Sequence, residues 1–187
     1  MKAEKQFRVS GKEKIKLNEW ATAPKKAIAK GDIKKEIAKD IKVLKENQEM
    51  LYAQDRRSVL ILFQAMDAAG KDSMIEHVMS GANPQGCSVT SFKSPTSREL
   101  DHDYLWRIHR EVPSRGDIKI FNRSHYEDVL ITRVHPEILV GNHLPDIWDV
   151  KDIDEAFYQK RYKQIKHYED YLAEQGVVIL KFFLHLS

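Results

Sequence analysis

The sequence predicts an α/β fold, a three-layer α/β/α sandwich around a mainly parallel sheet. Two observations carry that reading. Four short apolar runs, at residues 58–65, 87–92, 117–122 and 177–186, have the length and composition of strands. Between them lie segments whose apolar residues recur at helical spacing, and strands alternating with helices imply βαβ units.

Taken in order, residues 1–31 read as an irregular basic segment, with Pro24 and Gly31 as breaks. Lys12, Lys14, Lys16, Lys25, Lys26, Lys30, Lys34, Lys35 and Lys39 crowd this end, as a solvated face or as a surface for a polyanion. Residues 32–187 read as the folded domain. Asp32 is placed to cap a helix in which Ile33, Ile37, Ile41, Leu44, Met50 and Leu51 follow helical spacing, as far as about Arg57. "SVLILFQA" is continuous and apolar, as a strand buried on both faces is. A helix follows Lys71, and a second strand follows at "CSVTSF". Residues 97–112 read as a helix with Leu100, Leu105 and Ile108 inward, and "DIKIFN" as a third strand. A helix starts near Ser124. Another spans 154–175 and closes on Gly176, the usual residue just past a helix end. "VVILKFFLHL" is the fourth strand.

The chain has 187 residues, of which 42% are hydrophobic and 32% charged, so it can bury a core as one domain. It contains no apolar run of membrane-spanning length and no apolar signal region at its N-terminus. Its single cysteine, Cys87, excludes an internal disulfide and fits a cytoplasmic location. With a net charge of +3, the whole chain does not select a partner.

Parallel sheets bind ligands beyond the C-terminal ends of their strands. Two stretches fall there. The first, "FQAMDAAGKDSMI", nearly matches the phosphate-loop pattern G-x-x-x-x-G-K-[ST]. Ala65 replaces the first glycine, and Asp72 replaces the Ser/Thr, with Ser73 adjacent. Backbone N–H groups of Ala68, Ala69 and Gly70 and of the first helical turn would face a phosphate, with Lys71 adding a full charge. Carboxylates at Asp67 and Asp72 repel phosphate unless a hard cation lies between, which points to Mg²⁺. The second stretch, "IFNRSHYEDVL", ends a strand with Asn122 and Arg123, and Arg123 suits a charge clamp on a transferring phosphoryl group. Glu127, one helical turn on, is placed to bind a metal or orient an acceptor. His125, His135, His143 and the "DHD" at 101–103 have no metal-ligand spacing, which favours surface or packing roles.

Together "FQAMDAAGKDSMI", "SFKSPTSRELDHDYLWRIHREVP", "IFNRSHYEDVLITRVHPE" and "KFFLHLS" resemble the polyphosphate kinase 2 family, across most of residues 55–187. The "FNRSHYEDVL" form looks like its class III branch. The resemblance implies a P-loop kinase-like fold and Mg²⁺-dependent phosphoryl transfer from inorganic polyphosphate to AMP and ADP. It assigns catalysis to Asp67, Lys71, Arg123 and Glu127, phosphate binding to residues 68–73 with Lys93, Asn122 and Arg123, and metal binding to Asp67, Asp72 and Glu127. Asp117 is a weaker choice for the branch's acidic position. The glycine lost at Ala65 is expected to alter the loop slightly.

Lys93, Arg98, Arg107, Arg110, Arg115 and Arg133 are candidates to line a basic polyphosphate channel. The family continues past "FFLHLS" into a helical lid with further arginines, so this chain alone is expected to be weakly active or inactive. A homo-oligomer is expected, with no membrane or nucleic-acid partner. The competing readings are a nucleoside monophosphate kinase using ATP and a silent polyphosphate- or nucleotide-binding module.

Overall fold

The structure, a computed structural model, describes residues 7–9, 11, 14–23, 29–66 and 69–185. Among them a parallel four-stranded sheet runs in the order β2-β3-β1-β4, with β1 at Ser58–Ala65, β2 at Cys87–Ser91, β3 at Ile118–Asn122 and β4 at Val177–Leu184. Helices cover both faces. On one lie α1 (Lys30–Gln54) and α2 (Lys71–Met79), the latter packing Ile75 and Met79 against Ile61, Phe63 and Ile120. A Cβ on Gly81 would stand 2.1 Å from Ile41 Cγ2, so glycine is what lets the end of α2 approach α1. On the other face Leu60, Leu62 and Phe121 pack against Ile108 of α4 (Trp106–His109) and Leu172 of α7 (Glu155–Glu174).

The strand order creates the site. The chain leaves β1 toward β2 and leaves β3 toward β4, in opposite directions along the sheet. Right-handed crossovers then put the following helices on opposite faces, and in such sheets ligands bind where the strand order reverses, here at the C-terminal ends of β1 and β3. Phe63 pairs with Asn122, which sets the two ends side by side.

Several boundaries differ from expectation. Ala29, not Asp32, is the N-cap of α1, and Asp32 lies in its first turn. The helix expected over 97–112 is two short turns, α3 (Ser97–Leu100) and α4. Asp103 Oδ1 accepts from the Leu105 amide at 2.9 Å, the local side-chain bond by which aspartate competes with helix continuation. The helix expected from Ser124 forms as α5 (Glu127–Val134), followed by a short α6 (Glu137–Val140) that the sequence reading lacked. Asp154 caps α7 through the Phe157 amide at 2.8 Å, and Gly176 past its end has φ +92°. Val178, Leu180 and Phe182 of β4, which has one strand neighbour among the described residues, are 40%, 42% and 47% exposed. No helix among the described residues is long and apolar enough to cross a membrane.

Candidate functional site

The phosphate loop joins β1 to α2. Ala65 is the last residue of β1, paired with Leu184, and its φ is not positive. The position where the standard pattern has glycine is therefore extended strand, which alanine adopts without strain, so no distortion arises there. Gly70 does need its glycine: it is the N-cap of α2 with φ +74°. Lys71 is the first residue of α2, half-buried, and none of the ion pairs among the described residues uses it. Asp72 and Ser73 follow in the same exposed first turn, and Ala69 donates its amide to Met66 O at 3.3 Å. Asp67 and Ala68 lie outside the described residues.

The second strand end meets the first directly. Asn122 Nδ2 donates to Asp72 Oδ1. The carboxylate that replaces the usual hydroxyl is thus held by the asparagine that replaces the usual acid. The next residue, Arg123, is exposed and left-handed at φ +65°, a conformation that costs a residue with a Cβ about 1–2 kcal/mol. Its amide donates to Phe63 O at 3.2 Å, which stitches the loop to the end of β1. Ser124 and His125 behind it are 2% and 1% exposed, and Gln64 Nε2 donates to Ser124 Oγ at 3.0 Å. Glu127, half-buried, opens α5. Beside it, burial pushes the Asp128 carboxyl up to about 6, against the pull of Arg161 and Arg107.

Not every expected residue converges here. Asp117 precedes β3 at its N-terminal end, with its carbonyl bound to the Val59 amide at 3.0 Å, so it stands at the wrong end of the sheet for the acidic role. Lys93 is exposed just past β2, where its carbonyl accepts from Arg107 at 2.9 Å. Arg107 also pairs with Glu99 at 3.2 Å and lies over the Phe92 ring. Arg133 pairs with Glu155 and covers Tyr158. Both are tied to structural partners, whereas Arg98 and Arg110 are exposed and flank Trp106. Among the described residues no three His, Cys, Asp or Glu side chains cluster as a metal site. His125 is buried packing, as expected, but it faces an acid that the sequence reading lacked: Glu169 Oε1 lies 3.5 Å from its Nε2. No local signal marks Glu169, which sits in mid-helix, 43 residues from the tyrosine it binds.

Known proteins resemble this chain over most of its length. A profile of the polyphosphate kinase 2 (PPK2) family matches residues 27–187. The ADP-polyphosphate phosphotransferase of Rhodopseudomonas palustris is 48% identical over 184 residues, 98% of this chain and 63% of that protein. The AMP/ADP-polyphosphate phosphotransferase of Meiothermus ruber is 49% identical over 144 residues, 77% of this chain and 48% of that protein. The crystal structure of polyphosphate kinase 2 from Arthrobacter aurescens superposes with a TM-score of 0.82 at 37% identity, covering 99% of this chain and 61% of that one. The chain thus spans about three fifths of the length of two of these proteins and about half of the third. A P-loop kinase-like core, a phosphate loop bonded to the neighbouring strand end, and a family match over most of its length place this chain in the polyphosphate kinase 2 family.

Proposed function

We propose that this chain forms the phosphotransfer core of an enzyme that moves a phosphoryl group from inorganic polyphosphate to AMP and/or ADP. The observation that carries the reading is the hydrogen bond between Asp72 and Asn122 at adjacent strand ends, next to Lys71 and Arg123 in the chain. Two cations on separate backbone elements can neutralise charge on the transferring group from two directions, and little covalent chemistry then falls to the protein. The names of the relatives from R. palustris and M. ruber support the donor and the acceptors.

The donor set suits Mg²⁺, which binds through one or two carboxylates plus substrate phosphates. Asp72 and Glu127, with Asp67, would hold it, and the bound ion would offset the charge of the phosphates. Asn122 fixes the direction of Asp72, Lys71 and Arg123 bind phosphoryl oxygens, and the first-turn amides of α2 orient the donor. Exposed Lys93, Arg98 and Arg110 extend positive charge away from the ends of β1 and β3 along the expected path of the polyphosphate.

A cytoplasmic homo-oligomer is part of the same reading. Leu130, Ile131 and Val134 on α5 and the 85% exposed Trp148 offer apolar surface for contact between copies, which sedimentation would detect. The test of function is an assay with Mg²⁺, labelled AMP or ADP, and either polyphosphate or ATP as donor. ADP and ATP should form with polyphosphate. Product with ATP alone as donor indicates a nucleoside monophosphate kinase, and salt-sensitive polyphosphate binding without product, even when a helical lid is restored, indicates a silent binding module.

A further inference from the structure

Arg123 is left-handed and exposed, and such a conformation persists where the surroundings over-determine it. The bonds from Arg123 to Phe63 and from Gln64 to Ser124 hold one side of its loop. The other side is held by a cluster built on Glu169. Glu169 Oε1 accepts from the Tyr126 hydroxyl at 2.8 Å, and Oε2 pairs with Lys181 Nζ at 2.6 Å. Lys181 Nζ also donates to the Tyr126 hydroxyl at 3.0 Å. The His125 ring, 4.8 Å from that of Tyr126, turns Nε2 toward the same carboxylate, and neither of its ring nitrogens has a hydrogen bond of standard geometry. One side chain of α7 therefore ties the loop after β3 to β4.

Packing alone would not select this arrangement. A mostly buried carboxylate loses hydration, and apolar residues of similar volume often replace such clusters without loss of stability. What a polar hub adds is direction, because a hydroxyl, an imidazole and an ammonium must all point at one carboxylate.

We propose that Glu169 is a positioning residue for Arg123, holding the 123–126 loop in the backbone path that presents Arg123 just past the C-terminal end of β3. Its catalytic consequence rests on the phosphotransfer reading; its geometry does not.

The test uses Y126F, which keeps the ring and removes the hydroxyl, together with E169A and E169Q, in the whole chain. D170N is the control, since Asp170 pairs with Lys166 on the exposed side of α7. Amide hydrogen exchange at Arg123, relative to Leu60 and Leu62 in β1, reads the loop directly. E169A should speed it about tenfold and Y126F severalfold, while D170N leaves it unchanged. Turnover in E169A should fall about tenfold with KM for the acceptor within about threefold, the pattern of a lost transition-state contact. E169Q, whose amide oxygen can still accept from Tyr126, should recover most of both. Unchanged exchange at Arg123 in Y126F overturns the proposal even if E169A fails to fold. Faster exchange with unaltered turnover overturns it too. Turnover is measured with each variant carried in a protein extended to the full length of its relatives; no turnover in that extended wild type removes the phosphotransfer reading instead, and exchange alone then decides the positioning.

Discussion

The loops after β1 and β3 solve one problem in two ways. Both leave the C-terminal ends of adjacent parallel strands, and both turn through a left-handed residue, Gly70 at φ +74° and Arg123 at φ +65°. At Gly70 the chain uses the residue that takes this conformation freely, and an added Cβ there would meet nothing within 4 Å. At Arg123 it keeps a side chain and surrounds it with buried Ser124 and His125 and the Glu169 cluster. A loop that presents backbone amides can be glycine. A loop that must present a guanidinium at the same kind of turn cannot, and the fold has to hold it from behind.

The largest expected effect tests whether the two loops serve one reaction. Lys71→Ala should lower turnover by roughly 10²–10³-fold, the usual cost of one preorganised charge-stabilising group. Arg123→Lys keeps the charge but loses the planar fork, and should lie between wild type and Arg123→Ala. Steady-state rates with polyphosphate and ADP measure both. Near-normal turnover in Lys71→Ala would separate the β1 loop from the chemistry and leave Arg123 as the sole cation of the two.

The next effect separates the loops by acid. Burial alone would raise the Glu169 carboxyl, but the nearby His125 ring and the bonds from Lys181 and Tyr126 outweigh it and hold it down at about 2. A depressed carboxyl contributes stability that is present above its unfolded value, near 4.5, and lost as pH falls through about 2. The full contribution is about 3 kcal/mol, and about 2 kcal/mol of it is gone by pH 3. Urea midpoints at pH 7 and pH 3 should therefore show wild type losing about 2 kcal/mol more than E169Q, because the other carboxylates are common to both. Equal losses would mean that the β3 loop is not held by an ionised Glu169.

The same contrast explains what could be read from the chain. The β1 loop was legible because its signals are local: an apolar run, Gly70, Lys71 and a helix in sequence. The Asp72 substitution was legible as a carboxylate, but its bond to Asn122 crosses 50 residues and appears only in the fold. Arg123 was legible as a cation ending a strand. Its support was not, since Glu169 and Lys181 lie 43 and 55 residues from Tyr126 and sit among unremarkable helix and strand positions. Asp117 opens the strand read at 117–122, so its N-terminal place was legible, and its acidic role came from the resemblance alone. Residues 97–112 kept helical spacing while Asp103 broke the helix, a side-chain bond that periodicity does not register.

The smallest effect is also the most direct test of the two solutions, because it exchanges them. Gly70→Ala adds a Cβ into open space, so its cost comes from φ +74° alone and should be about 1 kcal/mol of stability. Arg123→Gly should be about 1 kcal/mol more stable than Arg123→Ala, since both lose the side chain and glycine alone relieves the turn. Neither Arg123 variant should recover turnover. Thermal unfolding of the three variants decides the matter: equal stability of Arg123→Gly and Arg123→Ala would mean that the left-handed turn carries no strain, and the buried anchor behind it would then need another reason to exist.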